Sequence, residues 1–153
     1  MKKKLKYIFL DFDGVLHKKN EDKKNFFDKA NKFDKLIKDY KVNIVVTSGW
    51  QFHKEYNSLL EKLTDNIRKK IVGKTSDVKS NQQKLLNKEN DRLAEIQRYI
   101  NESKLGKIDW VALDDSRNKF PDEFPDLIYC KPKEGLDKKQ LRLLEIWLNM
   151  PNS

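Results

Sequence analysis

The sequence lacks most of what would stabilise a chain from outside its own core. It has one cysteine, Cys130, among 153 residues. No intramolecular disulfide is therefore possible, and a reducing compartment is expected. No apolar run approaches the length needed to cross a bilayer, so no membrane partner is expected. The basic residues Lys2 to Lys6 followed by Tyr7 to Leu10 have the outline of a signal peptide. That apolar run is too short and ends in Asp11, so a cytoplasmic location is expected instead. Apolar residues make up only 37% of the chain, yet 10% is aromatic and the apolar residues fall in distinct runs. That excludes a disordered chain and predicts a single globular domain over residues 1–153. Acidic residues are in the minority, 24 against 33 lysines and arginines, for a formal net charge of +9. Such a surface favours anionic partners, nucleic acid among them. The same excess also follows from a composition rich in lysine and asparagine throughout.

What is present is concentrated in one stretch, Tyr7-Ile8-Phe9-Leu10-Asp11-Phe12-Asp13-Gly14-Val15-Leu16. The unbroken apolar run predicts a strand over roughly 5–10, buried on both faces. Asp11 and Asp13 follow at its carboxyl end, and alternation along an extended chain puts them on the same side. Gly14 lets the backbone turn away. Two carboxylates this close repel unless a cation lies between them, and Mg²⁺ is a hard cation that takes such ligands.

The rest of the chain alternates helical and strand patterns. Phe26, Ala30, Phe33, Ile37 and Tyr40 predict a helix from about Asp22 to Tyr40, with His17 before it in a solvated loop. Val42 to Val46 predicts a second buried strand, ending in Thr47-Ser48-Gly49-Trp50, with Trp50 used for packing. Phe52, Tyr56, Leu59, Leu60 and Leu63 predict a helix, and residues 71–73 a short strand. The polar segment 74–90 reads as a loop or small flap, with a short helix near 84–86. Asp91 to Ile100 predicts a helix capped at Asn90 or Asp91, which puts Arg92 in its first turn. The helix dipole disfavours a cation there unless an anion faces it. Trp110 to Leu113 predicts a strand ending in Asp114-Asp115. Alternation lets one of these two acids point at a metal, with Asp114 preferred. Residues 127–130 predict a last strand, and Asp137 with Gln140 a capping box opening the final helix. The class is α/β with a mainly parallel sheet, whose strand ends would gather Asp11, Ser48 and Asp114 in one crevice.

These residues, in this order, resemble the haloacid dehalogenase superfamily. Asp11-Phe12-Asp13-Gly14-Val15-Leu16 is similar to its first motif, Ser48-Gly49-Trp50 to its second, and Asp114-Asp115 to its fourth. Arg92 stands where the third motif places a Lys or Arg, with Lys74 as the rival, and Thr47 is the alternative to Ser48. Gly73-x-Thr75 and Arg92-x-x-Glu95 resemble the narrower group of such domains associated with RNA repair proteins. The resemblance implies a Rossmann-like three-layer sandwich with little or no cap. It implies a Mg²⁺-dependent phosphatase in which Asp11 is the nucleophile and Asp13 the general acid and base. Ser48, Gly49 and Arg92 would bind the phosphoryl group, and Asp11, Asp13, Asp114 and Asp115 would form the metal site, one of the last two from an outer position. The expected partner is a phosphorylated substrate, with a nucleic acid or nucleotide phosphate end favoured. The competing class is a non-catalytic module of the same fold that binds Mg²⁺ or nucleic acid.

Overall fold

The computed structural model describes residues 5–86 and 91–152. Among these, five short strands form one sheet: β1 (Lys6–Leu10), β2 (Val42–Val46), β3 (Ile71–Lys74), β4 (Trp110–Asp114) and β5 (Leu127–Tyr129). Their order is β3-β2-β1-β4-β5, and every neighbouring pair is parallel. Parallel pairing demands a crossover between consecutive strands; helices supply all but the last, from β4 to β5, which is a loop with a 3-10 turn (Arg117–Lys119). The described residues hold six helices. They are α1 (Ala30–Ile37), α2 (Tyr56–Leu60), α3 (Asp65–Lys70), α4 (Lys79–Leu86), α5 (Arg92–Glu102) and α6 (Lys138–Asn149).

Alternation along β1 divides the core in two. Ile8 and Leu10 join Ile44, Val46 and Leu113 under α1, α2, α3 and α6, through Phe33, Ile37, Leu59, Ile67 and Leu144. Tyr7 and Phe9 face the other way, with Val45 and Ala112, against Ile96 and Tyr99 of α5. Helices thus cover both faces, which gives the three layers of a Rossmann-like α/β fold. Each large apolar side chain taken fully from water contributes about 1.5–3 kcal/mol. That burial offsets the cost of keeping several carboxylates at the sheet's end out of water.

Three predicted segments differ from the structure. The helix predicted over 22–40 is only α1. Residues 23–25 form a 3-10 turn, and Phe27 adopts a left-handed backbone conformation at φ 68°, which no helix continues through. Phe26 obeys the helical spacing but stacks on His17 instead. The helix predicted from Phe52 begins at Tyr56, after a 3-10 turn over Gly49–Phe52 that leaves Phe52 exposed. The polar segment after β3 is not a surface loop. It forms a 3-10 turn (Thr75–Asp77) and then α4, with Thr75, Ser76 and Asn81 buried. Residues 87–90 of that predicted loop lie outside the described residues. No cap layer stands between β1 and β2, where the chain packs Val15, Leu16, Phe27 and α1 straight onto the sheet. Among the described residues, no helix is long and apolar enough to cross a membrane.

Candidate active site

The sheet register sets the site. Leu10 pairs with Val46 on one side and Leu113 on the other. The ladder runs one step further. The Asp11 N–H donates to the Leu113 carbonyl at 3.1 Å, and the Thr47 N–H to the Leu10 carbonyl at 2.9 Å. Asp11, Thr47 and Asp114 therefore leave their strands at one level. The chain crosses to opposite sides of β1 on its way to β2 and to β4, so Asp11 lies at the switch point where parallel sheets open a crevice.

Asp11, Asp114 and Asp115 meet there. Each offers a carboxylate oxygen, and these oxygens lie within 4.8 Å of one another. All three residues are buried. Gly14 makes room for the third. It holds φ at 75°, and a Cβ there would stand 2.3 Å from the Asp115 Oδ2, so a side chain at this position would displace Asp115.

The charge in this crevice is unbalanced. Arg92 reaches Asp114 from α5, and its charge also acts on Asp11. Arg92 Nε stands 3.1 Å from Asp114 Oδ2, misaligned, so the pair is an ion contact and not a hydrogen bond. Arg92 Nη1 donates to the Thr47 carbonyl at 2.5 Å and to Glu95 Oε2 at 3.2 Å. Asp91 caps α5 by accepting from the Ala94 N–H, which adds negative charge where the dipole disfavours Arg92. Burial, then the Asp114 charge, holds the Asp11 carboxyl well above the usual range, against Arg92. Burial likewise raises Asp114, with Arg92 and the Ser116 N–H opposing. Burial pushes Glu95 up to about 7 despite Arg92 and Lys119. The donor set suits a hard divalent cation: the oxygens are carboxylate oxygens, close together, and short of positive charge.

Asp13 faces elsewhere, and its carboxylate lies outside this group of three. Oδ1 is 2.7 Å from His17 Nε2, and Trp50 Nε1 donates to both oxygens at 3.1 Å. Burial raises the Asp13 carboxyl, but these hydrogen bonds outweigh it, and the net shift is downward. His17 is fully buried rather than solvated, and Trp50 does more than pack. Periodicity hides both: Asp13 and His17 are four residues apart but lie on a turn outside any helix, and Trp50 is thirty-seven residues from Asp13. The one available signal was position, His17 just past the glycine turn and Trp50 just past the second strand.

The remaining candidates sit around this centre. Ser48 is buried, and its Oγ accepts from the Trp50 N–H at 3.2 Å, capping the 3-10 turn. The Thr47 hydroxyl is buried without a hydrogen-bond partner among the described residues. A Cβ built on Gly49 would meet nothing within 4 Å, so the backbone after Ser48 opens onto free space. Lys74 is turned to Asp77, 2.9 Å from its Oδ1. Beneath Ser48, Gln51 donates to the Ser48 carbonyl and to Thr75 Oγ1 and accepts from the Ser76 N–H. Asn81 donates to the carbonyls of Thr75 and Glu95. This buried polar network ties the end of β3 to the second-strand loop and to α5, which is why the polar segment after β3 folds inward.

One family model matches residues 7–141, that of the HAD domain in Swiss Army Knife RNA repair proteins. No curated protein and no solved structure matches the chain.

Proposed function

The chain belongs to this family of HAD domains, and from that premise we propose that it is a Mg²⁺-dependent phosphomonoester hydrolase that removes phosphate from polynucleotide ends. The observation that carries the reading is the buried Asp11–Asp114–Asp115 group with Arg92 against it at the switch point of the sheet. Mg²⁺ held by Asp11, Asp114 and Asp115 would supply positive charge to the phosphoryl oxygens and keep Asp11 ionised.

The chain's own residues account for the rest. An Asp11 carboxylate oxygen attacks phosphorus, and the ester P–O bond breaks towards the leaving oxygen. Asp13 gives that oxygen its proton, and the negative charge of a bound phosphate raises the proton affinity of Asp13 for this step. Asp13 then takes a proton from the water that attacks the Asp11 acyl phosphate, which releases phosphate and restores Asp11. Arg92, fixed by Thr47 and Glu95, neutralises charge on the transferring group. Ser48 and the backbone from Gly49, with the Thr47 hydroxyl, which has no hydrogen-bond partner among the described residues, would donate to a phosphoryl oxygen.

The polynucleotide substrate is supported by the family's occurrence in RNA repair proteins, the net charge of +9 and the absence of a cap layer between β1 and β2. The test is phosphate release from an aryl phosphate and from oligonucleotides bearing a 3′ or 5′ phosphate, with and without Mg²⁺, over a salt series. Mg²⁺-dependent release is expected on both. Oligonucleotide turnover should fall steeply with salt as phosphate contacts are screened. Oligonucleotide binding without release from any ester would make the chain a binding module instead.

A further inference from the structure

Asp13 is held more tightly than a general acid and base on a turn needs to be, and its two oxygens are held unequally. His17 Nε2 reaches only Oδ1, at 2.7 Å, while Trp50 Nε1 is shared between Oδ1 and Oδ2. Oδ1 thus has His17 and a share of Trp50, and Oδ2 has only its share of Trp50 among the described residues.

The His17 ring is fixed on every side. It is fully buried, Phe26 stacks parallel on it with centroids 3.9 Å apart, and Phe27 lies against it at 5.6 Å. Its Nδ1 accepts the Phe27 backbone N–H at 3.4 Å. That bond places the ring's single proton on Nε2, where it can only be donated to Asp13. The bond comes from a costly conformation. Phe27 has φ 68°, a region that bulky residues avoid at about 1–3 kcal/mol. The strain turns the Phe27 N–H onto His17.

We propose that His17 is a positioning residue for Asp13: its Nε2–H, fixed by the Phe27 N–H, occupies Oδ1 and leaves Oδ2 as the oxygen that exchanges the proton. Trp50 completes the clamp from the second-strand loop. In the first half-reaction the Oδ2 proton passes to the leaving oxygen as the ester bond breaks and the Asp11–phosphorus bond forms. In the second, Oδ2 takes the proton of the attacking water as the Asp11–phosphorus bond breaks. This assignment rests on the phosphatase reading, and the test separates the two.

His17→Phe keeps the stacked ring and removes the donor, whereas His17→Gln keeps an N–H near the Nε2 position. Single-turnover release of the alcohol is measured from an alkyl phosphate, whose leaving oxygen needs a proton, and from an aryl phosphate, whose leaving oxygen does not. His17→Phe should slow the alkyl ester roughly 10- to 100-fold, with little change for the aryl ester. His17→Gln should recover most of the loss. An equal loss on both esters, or no loss on either, overturns the assignment. If wild-type protein releases nothing from either ester, the phosphatase reading fails first. Nitrogen-15 NMR of the wild-type imidazole tests the clamp without turnover, and covers the case in which His17→Phe does not fold. A proton on Nε2 with bare Nδ1 is expected, and a proton on Nδ1 overturns the proposal.

Discussion

Asp11 and Asp13 are two residues apart and occupy opposite surroundings. Asp11 ends a central strand, faces two further buried carboxylates, and is disfavoured as an anion until positive charge arrives. Asp13 lies past the strand, with its side chain 43% exposed, and hydrogen bonds from His17 and Trp50 favour its anion. The same side chain is given opposite proton affinities by what the fold sets against it. The sheet makes the first neighbourhood, because parallel register brings distant strand ends to one level. A turn and two loops make the second, through contacts four and thirty-seven residues away.

Replacing each acid by its amide breaks the comparison most directly. Asp11→Asn should reduce turnover by at least about 10⁴-fold, because in the proposed mechanism Asp11 carries the covalent intermediate. The melting temperature should not fall, since the change removes one of three crowded buried charges. Asp13→Asn should cost about 10²- to 10⁴-fold in kcat. Equal losses of activity, accompanied by equal changes in melting temperature, would erase the distinction between the two sites.

Adding Mg²⁺ sharpens it. An ion that binds only the folded chain, at one hundred times its dissociation constant, stabilises by about 2.7 kcal/mol. For a domain of this size that is a rise of about 5–10 °C in melting temperature. The rise should vanish in Asp114→Asn and persist in Asp13→Asn, whose carboxylate lies outside the group of three. Loss of the rise in both variants would put Asp13 in the metal site after all.

The sheet half of this arrangement was legible in the sequence and the loop half was not. Tyr7 to Leu10, Val42 to Val46 and Trp110 to Leu113 are unbroken apolar runs, and their ends fixed where Asp11, Thr47 and Asp114 would emerge. Alternation failed at Asp114-Asp115. Past the last paired residue the chain no longer alternates, and both acids turn into the crevice. Helical spacing failed at Phe26, whose apolar partner is the His17 ring. Polarity failed after β3, where buried Thr75 accepts from Gln51 and the buried Asn81 amide nitrogen donates to two backbone carbonyls. In each case a tertiary partner decided the conformation, and no local pattern names that partner.

The smallest expected effect is a pH dependence of stability in chelator, and its sign differs between the two neighbourhoods. Asp11 and Asp114 bind protons more tightly folded than unfolded, where the ordinary value is 3.8. Their contribution is full below that value and is lost as pH rises through the folded one. Glu95, raised from 4.5 to about 7, extends the decline towards neutrality. Asp13 acts the other way, stabilising above 3.8 and losing that stability as pH falls through its lowered folded value. Stability without metal should therefore fall as pH rises from about 4.5 to about 7. Glu95→Gln keeps an acceptor for Arg92 and removes the titrating group, so it should flatten that slope by about 1–2 kcal/mol. Asp13→Asn should alter only the acid limb. Thermal melts of the three proteins across that range decide the matter. An unchanged slope in Glu95→Gln would mean that Arg92 keeps Glu95 ionised throughout, and that the shortage of positive charge ends at the carboxylates themselves.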